Sequence, residues 1–158
     1  MKKSNFQDQP IQMVVFEINE KEYGISVYAT KEVIQLPNIV EIPNAPPFIA
    51  GVINLRGKII AVLDLRKHFH FDSENTESTK IIIVKMRNMI IGLIVDKVHE
   101  VIRIMKSQID PVPALLNSQI PQNCLVGIAK VEERIISLLN LDSILSPEQV
   151  ALLSQHST

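Results

Sequence analysis

One stretch of sequence occurs twice in this chain, and its first copy reads Gly51-Val52-Ile53-Asn54-Leu55-Arg56-Gly57-Lys58-Ile59-Ile60-Ala61-Val62-Leu63-Asp64-Leu65. It aligns without a gap with the run from Gly127 to Leu141. In both copies the first residue is glycine, the strand after the turn carries paired isoleucines, and a cap residue, Asp64 or Asn140, stands before the last leucine. Each copy therefore predicts a strand, a two-residue hairpin turn, a second strand and a capped helical turn.

The repeat continues on the amino-terminal side of this stretch. Gly24 aligns with Gly92, the run Glu32-Val33-Ile34 aligns with Glu100-Val101-Ile102, and Pro43 aligns with Pro111. The chain thus divides into two similar halves, about residues 13–71 and 80–146, each with several short strands. Duplicated halves of short strands predict two small β-barrels packed together, and the pattern leaves open whether the barrels exchange strands.

The remaining elements follow from alternation, turn residues and caps. Thr30 to Leu36 is predicted as a short helical turn, Leu65 to Phe69 as a helix capped by Asp64, and Pro147 to Ser154 as a terminal helix. Residues 1–12 are predicted as a flexible segment, 13–146 as a single domain and 147–158 as a helical tail, with a Pro-containing connection over 110–123. The predicted strands are Met13–Ile18, Tyr23–Val27, Gly51–Leu55, Lys58–Leu63, Ile81–Met86, Met89–Val95, Val101–Met105, Leu125–Lys130 and Arg134–Asn140.

Composition narrows the class of protein. Of 158 residues, 46% are apolar and 21% are charged, which is typical of a globular chain. A formal net charge of −1 provides no overall attraction for nucleic acid, and the few aromatic residues do not alternate with Lys or Arg as in a single-strand-binding barrel. A single cysteine and short apolar runs predict a cytoplasmic protein that does not insert into the membrane.

No set of residues indicates catalysis. His68 and His70 are spaced as a possible metal pair, but a third ligand is missing and a solvated pair explains them as well. Cys124 and His99 are a thiol and an imidazole outside any nucleophile motif. Asp64 is a candidate carboxylate, but its counterpart Asn140 is not, and a helix cap accounts for both. We predict no catalytic residues, no metal and no cofactor.

The duplication also separates fold from function. Residues kept in both halves are predicted to serve the fold, and residues present in only one half are better functional candidates. Asn54-Leu55-Arg56-Gly57 corresponds to Lys130-Val131-Glu132-Glu133, so the Arg-Gly turn belongs to the first half alone.

Several of these motifs together carry a family signature. They include Glu22-Tyr23-Gly24-Ile25, the proline-rich run Ile42-Pro43-Asn44-Ala45-Pro46, the stretch Gly51 to Gly57, Leu63-Asp64-Leu65-Arg66, and Gly92 to Val98. From about Met13 to Leu145 the chain resembles the CheW family, and the Gly-Val-x-Asn-Leu-Arg-Gly stretch is the specific part of the resemblance.

The resemblance implies two five-stranded SH3-like barrels with short helices at the barrel ends and the C-terminus. It implies a non-enzymatic adaptor that binds the regulatory domain of the histidine kinase CheA and the cytoplasmic tip of methyl-accepting chemotaxis receptors, and that is recruited from the cytoplasm to membrane receptor arrays. By the same resemblance Thr30, Glu32 and Val33 would face the kinase. The residues that would face the receptor are Asn54, Arg56, Gly57, Ile81, Val98 and Val101.

Other interpretations stay open. The module would look the same in a pilus-type chemosensory pathway, and a nucleic-acid-binding barrel is the alternative from a different class. Arg56 could be only a solvated turn residue, and Glu32 could share a structural hydrogen bond with its counterpart Glu100. Val98 and Val101 could belong to the core.

Overall fold

The computed structural model describes residues 10–112 and 121–156. The all-β class is confirmed, with two sheets and short helices. Parts of three predicted regions lie outside the described residues: 1–9, 113–120 and 157–158. The strands are β1 (Ile11–Ile18), β2 (Lys21–Ser26), β3 (Thr30–Gln35), β4 (Ile49–Leu55), β5 (Lys58–Asp64), β6 (Lys80–Met86), β7 (Met89–Val95), β8 (Lys97–Ile104), β9 (Ile109–Asp110), β10 (Leu125–Val131) and β11 (Arg134–Leu139), and the helices are α1 (Leu65–His68) and α2 (Pro147–His156).

The two sheets exchange strands between the halves of the sequence. Sheet A has the order β8-β1-β2-β11-β10-β9, and sheet B has the order β3-β6-β7-β5-β4. Sheet A takes the hairpin β1–β2 from the first half and its other strands from the second half, whereas sheet B takes the hairpin β6–β7 from the second half and its other strands from the first. A parallel pair joins the two contributions in each sheet, β2 with β11 in sheet A and β7 with β5 in sheet B. The chain crosses between sheets after β2 and again after β7, which ties together lobe A, built on sheet A, and lobe B, built on sheet B.

The duplicated hairpins have the same register. In β4–β5 the pairing runs from Gly51 opposite Val62 to Leu55 opposite Lys58. In β10–β11 it runs through the equivalent residues, and both hairpins shift register just before the leading glycine. The prediction that the repeats form matching strand–hairpin–strand units is confirmed.

The leading glycine of each hairpin lies against a neighbouring segment. A Cβ on Gly51 would lie 2.2 Å from the Val40 carbonyl oxygen, and one on Gly127 would lie 2.8 Å from the Asp110 carbonyl oxygen. Because no side chain fits such a close backbone approach, both halves keep glycine here.

The predicted caps are confirmed. The Asp64 side chain accepts a hydrogen bond from the Arg66 N–H at 3.0 Å, and the Asn140 side chain accepts one from the Asp142 N–H at 3.2 Å. The first cap begins α1 and the second begins the 3₁₀ turn Leu141–Ser143.

The predicted helical turn over Thr30 to Leu36 is wrong. These residues form strand β3, whose side chains alternate between half-buried and exposed and which pairs antiparallel with β6. Only Val27–Ala29 before it is helical, a 3₁₀ turn capped by Ser26. The long-range pairing with β6 therefore overrides the local signal. Strand β8 likewise begins at Lys97, earlier than the predicted Val101.

The central strands of each sheet are buried on both faces. One face of each contributes to a shared core, with Phe16 and Ile18 from sheet A and Leu63 and Leu93 from sheet B. The opposite faces form a separate small core in each lobe. This arrangement explains why the central strands read as continuous apolar runs rather than as alternating ones.

Candidate partner-binding surfaces

Strand β3 forms an exposed edge of sheet B and carries the three residues predicted to face a kinase. Thr30 begins the strand, and its hydroxyl donates to the Ser26 carbonyl oxygen at 3.1 Å. Glu32 is half-buried, and Val33 is 41% exposed although it is apolar. An edge strand with an exposed apolar side chain offers backbone groups and an apolar contact to a partner.

The β4–β5 turn lies against this edge. Arg56 and Gly57 both have positive φ, 50° and 89°, as a type I′ turn requires. The Asn54 side chain accepts a hydrogen bond from the Gly57 N–H at 2.8 Å and fixes the turn. The Arg56 guanidinium forms an ion pair with Glu32, and this hydrogen-bonded carboxylate raises the pKa of Arg56.

The Arg56–Glu32 pair joins two groups of residues that were predicted to face different partners. Glu32 was predicted on the kinase side and Arg56 on the receptor side, and the structure places them in direct contact. The Arg56 side chain is still 68% exposed. The pair is therefore available to a partner from solvent while it connects β3 to the turn.

The same pair reports on the shape of sheet B. Strands β3 and β5 are separated by β6 and β7, so in a flat sheet they would lie about 14 Å apart, since neighbouring strands are about 4.8 Å apart. A direct contact between Glu32 and the turn before β5 requires the sheet to curl on itself, as small barrels do.

An open groove of about 890 Å³ runs between β3 and the hairpin. Glu32 and Arg56 line it together with Ile59, which is 42% exposed. Ile59 was not among the site residues predicted from the sequence. The available signal was strand alternation, because Ile60 is buried and its neighbour must face outward, as Ile135 does in the second half at 64% exposure.

The residues predicted to face a receptor separate into different environments. Val101 on the edge strand β8 is 51% exposed, whereas Val98 on the same strand is half-buried and packs against the shared core. Ile81 differs from the prediction, because its side chain is fully buried in the core of lobe B. Because Ile81 packs with Ile53, Ile60 and Ile94 in this core, its side chain supports the sheet and does not reach the surface.

A buried arginine holds the point where the chain crosses from β7 to β8. Arg66 is 2% exposed, and its guanidinium donates to Asp64 at 2.9 and 3.0 Å and to Asp96 at 3.1 Å. Burial alone lowers the pKa of Arg66, but the hydrogen bonds and charges of the two aspartates outweigh burial and raise it. Asp96 also accepts from the Asn19 N–H at 2.8 Å, so the network links both sheets.

The residues considered for chemistry have structural partners. The His68 Nε2 lies 2.8 Å from the Ile144 carbonyl oxygen, and burial lowers the pKa of this histidine. The Cys124 thiol donates to the Ser143 carbonyl oxygen at 3.1 Å, and burial raises its pKa. The His99 Nε2 instead lies within hydrogen-bond distance of the Glu17 carboxylate. Across residues 10–112 and 121–156 no three His, Cys, Asp or Glu side chains are grouped to hold a metal ion.

Comparison with known proteins adds to this geometry. The family model described as a CheW-like domain matches residues 12–149. The chain belongs to the CheW family. It is 35% identical over 137 residues to the chemotaxis protein CheW of Bacillus subtilis, covering 86% of this chain and 87% of the relative. It is 30% identical to the Helicobacter pylori protein of the same name, covering 89% and 85%.

A solved structure agrees with the fold. The scaffolding protein TtCheW from Thermoanaerobacter tengcongensis superposes with a TM-score of 0.79 at 39% identity, covering 85% of this chain and 92% of that one. The two β-sheet lobes thus agree with the CheW fold, and the protein is a chemotaxis adaptor. Sheet A has six strands rather than the five expected, because the two-residue strand β9 pairs with β10. In the part of the chain that is described, none of the helices has the length and apolar character to cross a bilayer.

Proposed function

We propose that this protein is a non-enzymatic adaptor that couples methyl-accepting chemotaxis receptors to the histidine kinase CheA and joins membrane receptor arrays. The observation that carries the proposal is the CheW-like domain over residues 12–149 with two exposed edge strands, β3 and β8. Residues 13–146 act as one domain, because neither sheet can form from one half of the sequence alone.

The kinase-facing surface is the β3 edge. Thr30, Glu32 and Val33 all lie on this strand: Glu32 lines the groove, and Val33 is on the exposed face of the strand. The regulatory domain of the kinase is itself a CheW-like pair of barrels, by the family resemblance, so its barrel can stack against this edge. Val33 and Ile59 supply apolar area, and the Arg56–Glu32 pair supplies a polar rim.

The receptor-facing surface uses strand β8 of sheet A and, by the family resemblance, the Asn54-Arg56-Gly57 turn, which lies in sheet B against the kinase-facing edge β3. Val101 is the apolar residue on β8 best placed to meet an apolar stripe of a receptor helix, with Val98 beneath it. Ile81 has no direct part in this surface. Its fully buried side chain supports the strands that carry the contacts.

Separate substitutions distinguish the two surfaces. Val33→Asp places a charge on the kinase edge, and Val101→Asp places one on the receptor strand; each residue is exposed enough to leave folding intact. The control is Leu152→Asp, because Leu152 is 37% exposed and lies on helix α2, which belongs to neither edge strand.

The assay is co-sedimentation with the kinase and a receptor signalling fragment from the same genome. We expect Val33→Asp to weaken kinase capture by about tenfold or more and Val101→Asp to weaken receptor capture by a similar factor, because a buried unpaired charge is costly at an interface. Leu152→Asp should bind both as the parent does. If the parent chain captures neither protein, the proposed function is wrong.

A further inference from the structure

Lobe A contains its own contact between an edge-strand glutamate and an arginine of the duplicated hairpin. Arg134, the first residue of β11, donates from Nη1 to Glu100 at 3.2 Å, and Glu100 lies on the edge strand β8. Its Nε donates to Glu22 on β2 at 3.1 and 3.2 Å, and Nη2 contacts the same carboxylate. One guanidinium therefore joins three strands of sheet A.

The two lobes reach this contact with arginines at different positions. Glu100 is the sequence counterpart of Glu32, but the residue aligned with Arg56 is Glu132, and the residue aligned with Arg134 is Lys58. The duplicated hairpin has thus acquired an arginine two residues further on that reaches the same edge glutamate. The rest of the hairpin keeps its register, so what the two lobes share is the contact between the edge-strand glutamate and the hairpin, not the position of the arginine.

The contact lies at an irregular point of β8. The pairing of β1 with β8 shifts between Val14 and Phe16, so Val15 faces two residues of β8, His99 and Glu100. An extra residue in an edge strand leaves the ladder locally unpaired. His99 and Glu100 are each tied down by a charged partner, Glu17 and Arg134 respectively.

Charge balance gives Arg134 a second task. Glu17 and Glu22 lie directly opposite each other across β1 and β2, an arrangement that is unfavourable for like charges. Arg134 binds Glu22 and Glu100 together, and the hydrogen bonds that it donates to Glu22 are the main cause that raises the pKa of Arg134. Its side chain is 31% exposed, so these contacts are partly shielded from solvent.

We propose that Arg134 is a positioning residue for receptor binding: by clamping Glu100 to β2 and β11 it fixes the irregular part of β8 that presents Val98 and Val101. This inference rests on the proposed function, because it assigns β8 to the receptor. Strand β3 with its kinase-facing residues lies in the other sheet and has its own clamp, Arg56. Loss of the Arg134 clamp should therefore affect one partner and spare the other.

The test compares Arg134→Gln, Arg134→Lys and Glu100→Gln with the control Arg103→Gln, which removes an exposed charge from the same strand. We measure affinity for a receptor signalling fragment, affinity for the kinase regulatory domain, thermal midpoint, and amide exchange of β8 and β3. Arg134→Gln and Glu100→Gln should weaken receptor binding on the order of tenfold. Kinase binding should stay within about twofold and Arg103→Gln should behave as the parent.

Lysine at position 134 should recover part of the receptor affinity, since it keeps the charge but lacks the fork that spans two carboxylates. Amide exchange separates this inference from the proposed function. If Arg134→Gln accelerates exchange in β8 and not in β3, the clamp exists even when the parent fails to bind the receptor fragment. The inference would be overturned by unchanged amide exchange in β8, or by equal losses of receptor and kinase affinity in proportion to the unfolded protein. If Arg134→Gln does not fold, Glu100→Gln decides the question by the same measurements, because Glu100 is 55% exposed.

Discussion

Replacing the buried arginine Arg66 with leucine is the sharpest test of how this fold is held together. The substitution keeps much of the apolar volume and removes hydrogen bonds to Asp64, Asp96, the Glu74 carbonyl oxygen and Asn75, at 2.8 to 3.3 Å. The Asp64 side chain is 5% exposed and would remain as a buried carboxylate without its cation. Asp96 is 32% exposed and can be resolvated.

Removing one partner of a buried ion pair typically costs about 3–5 kcal/mol. For a chain of this size 1 kcal/mol shifts the thermal midpoint by about 2–4 °C, so Arg66→Leu should lower the midpoint by roughly 6–20 °C. Urea denaturation followed by far-UV circular dichroism measures the free energy of unfolding directly.

The second half of the chain supplies the matched control. At the equivalent cap it has the neutral Asn140 and, in place of Arg66, Asp142, and its cap hydrogen bond forms without a buried arginine. The double variant Asp64→Asn/Arg66→Leu should therefore recover most of the lost stability, because asparagine keeps the cap and removes the stranded charge. A single variant that loses less than about 1 kcal/mol, or a double variant no more stable than the single, would refute this account of Arg66.

The remaining predictions concern the partner surface, the close glycine, the misassigned isoleucine and metal. Arg56→Ala should leave the thermal midpoint unchanged, because the side chain is exposed, and should weaken receptor–kinase co-sedimentation by about tenfold. Arg56→Lys should restore only part of this binding, because lysine lacks the planar fork. A lower midpoint with a proportional loss of binding would show that Arg56 is structural. Gly127→Ala should lower the free energy of unfolding measured in urea, since a Cβ would lie 2.7 Å from Ile109 Cγ2. In Gly57→Ala a Cβ would meet nothing within 4 Å, so this free energy should fall only through the strain of the positive φ. Ile81→Ala should cost about 2–5 kcal/mol of stability and reduce receptor and kinase binding equally, so a selective loss of receptor binding at unchanged stability would contradict its assignment to the core. Dialysis against a chelator should not change the thermal midpoint, and a metal found in stoichiometric amount at His68 and His70 would show otherwise.

Much of the fold could be predicted from local pattern. The hairpins around Arg56 and after Gly127 were predictable because turn residues, strand alternation and caps act within a few residues of sequence. The family resemblance rested on the same local motifs. The Arg56-Gly57 turn was singled out by the asymmetry between the halves, which needs no knowledge of distance, and its assignment to the receptor came from the family resemblance.

The pairing of distant segments could not be obtained in this way. Strand β3 reads locally as a helical turn and becomes a strand only through its ladder to β6. Ile81 matched the family pattern, but its burial depends on distant residues such as Ile53 and Ile60 packing against it. The exchange of strands between halves, the contact of Glu32 with Arg56, and the use of Arg134 in place of an aligned arginine all join residues far apart in sequence. Local propensity and spacing carry the short-range part of the free energy, whereas these contacts form only when the sheets curl and bring their edges together.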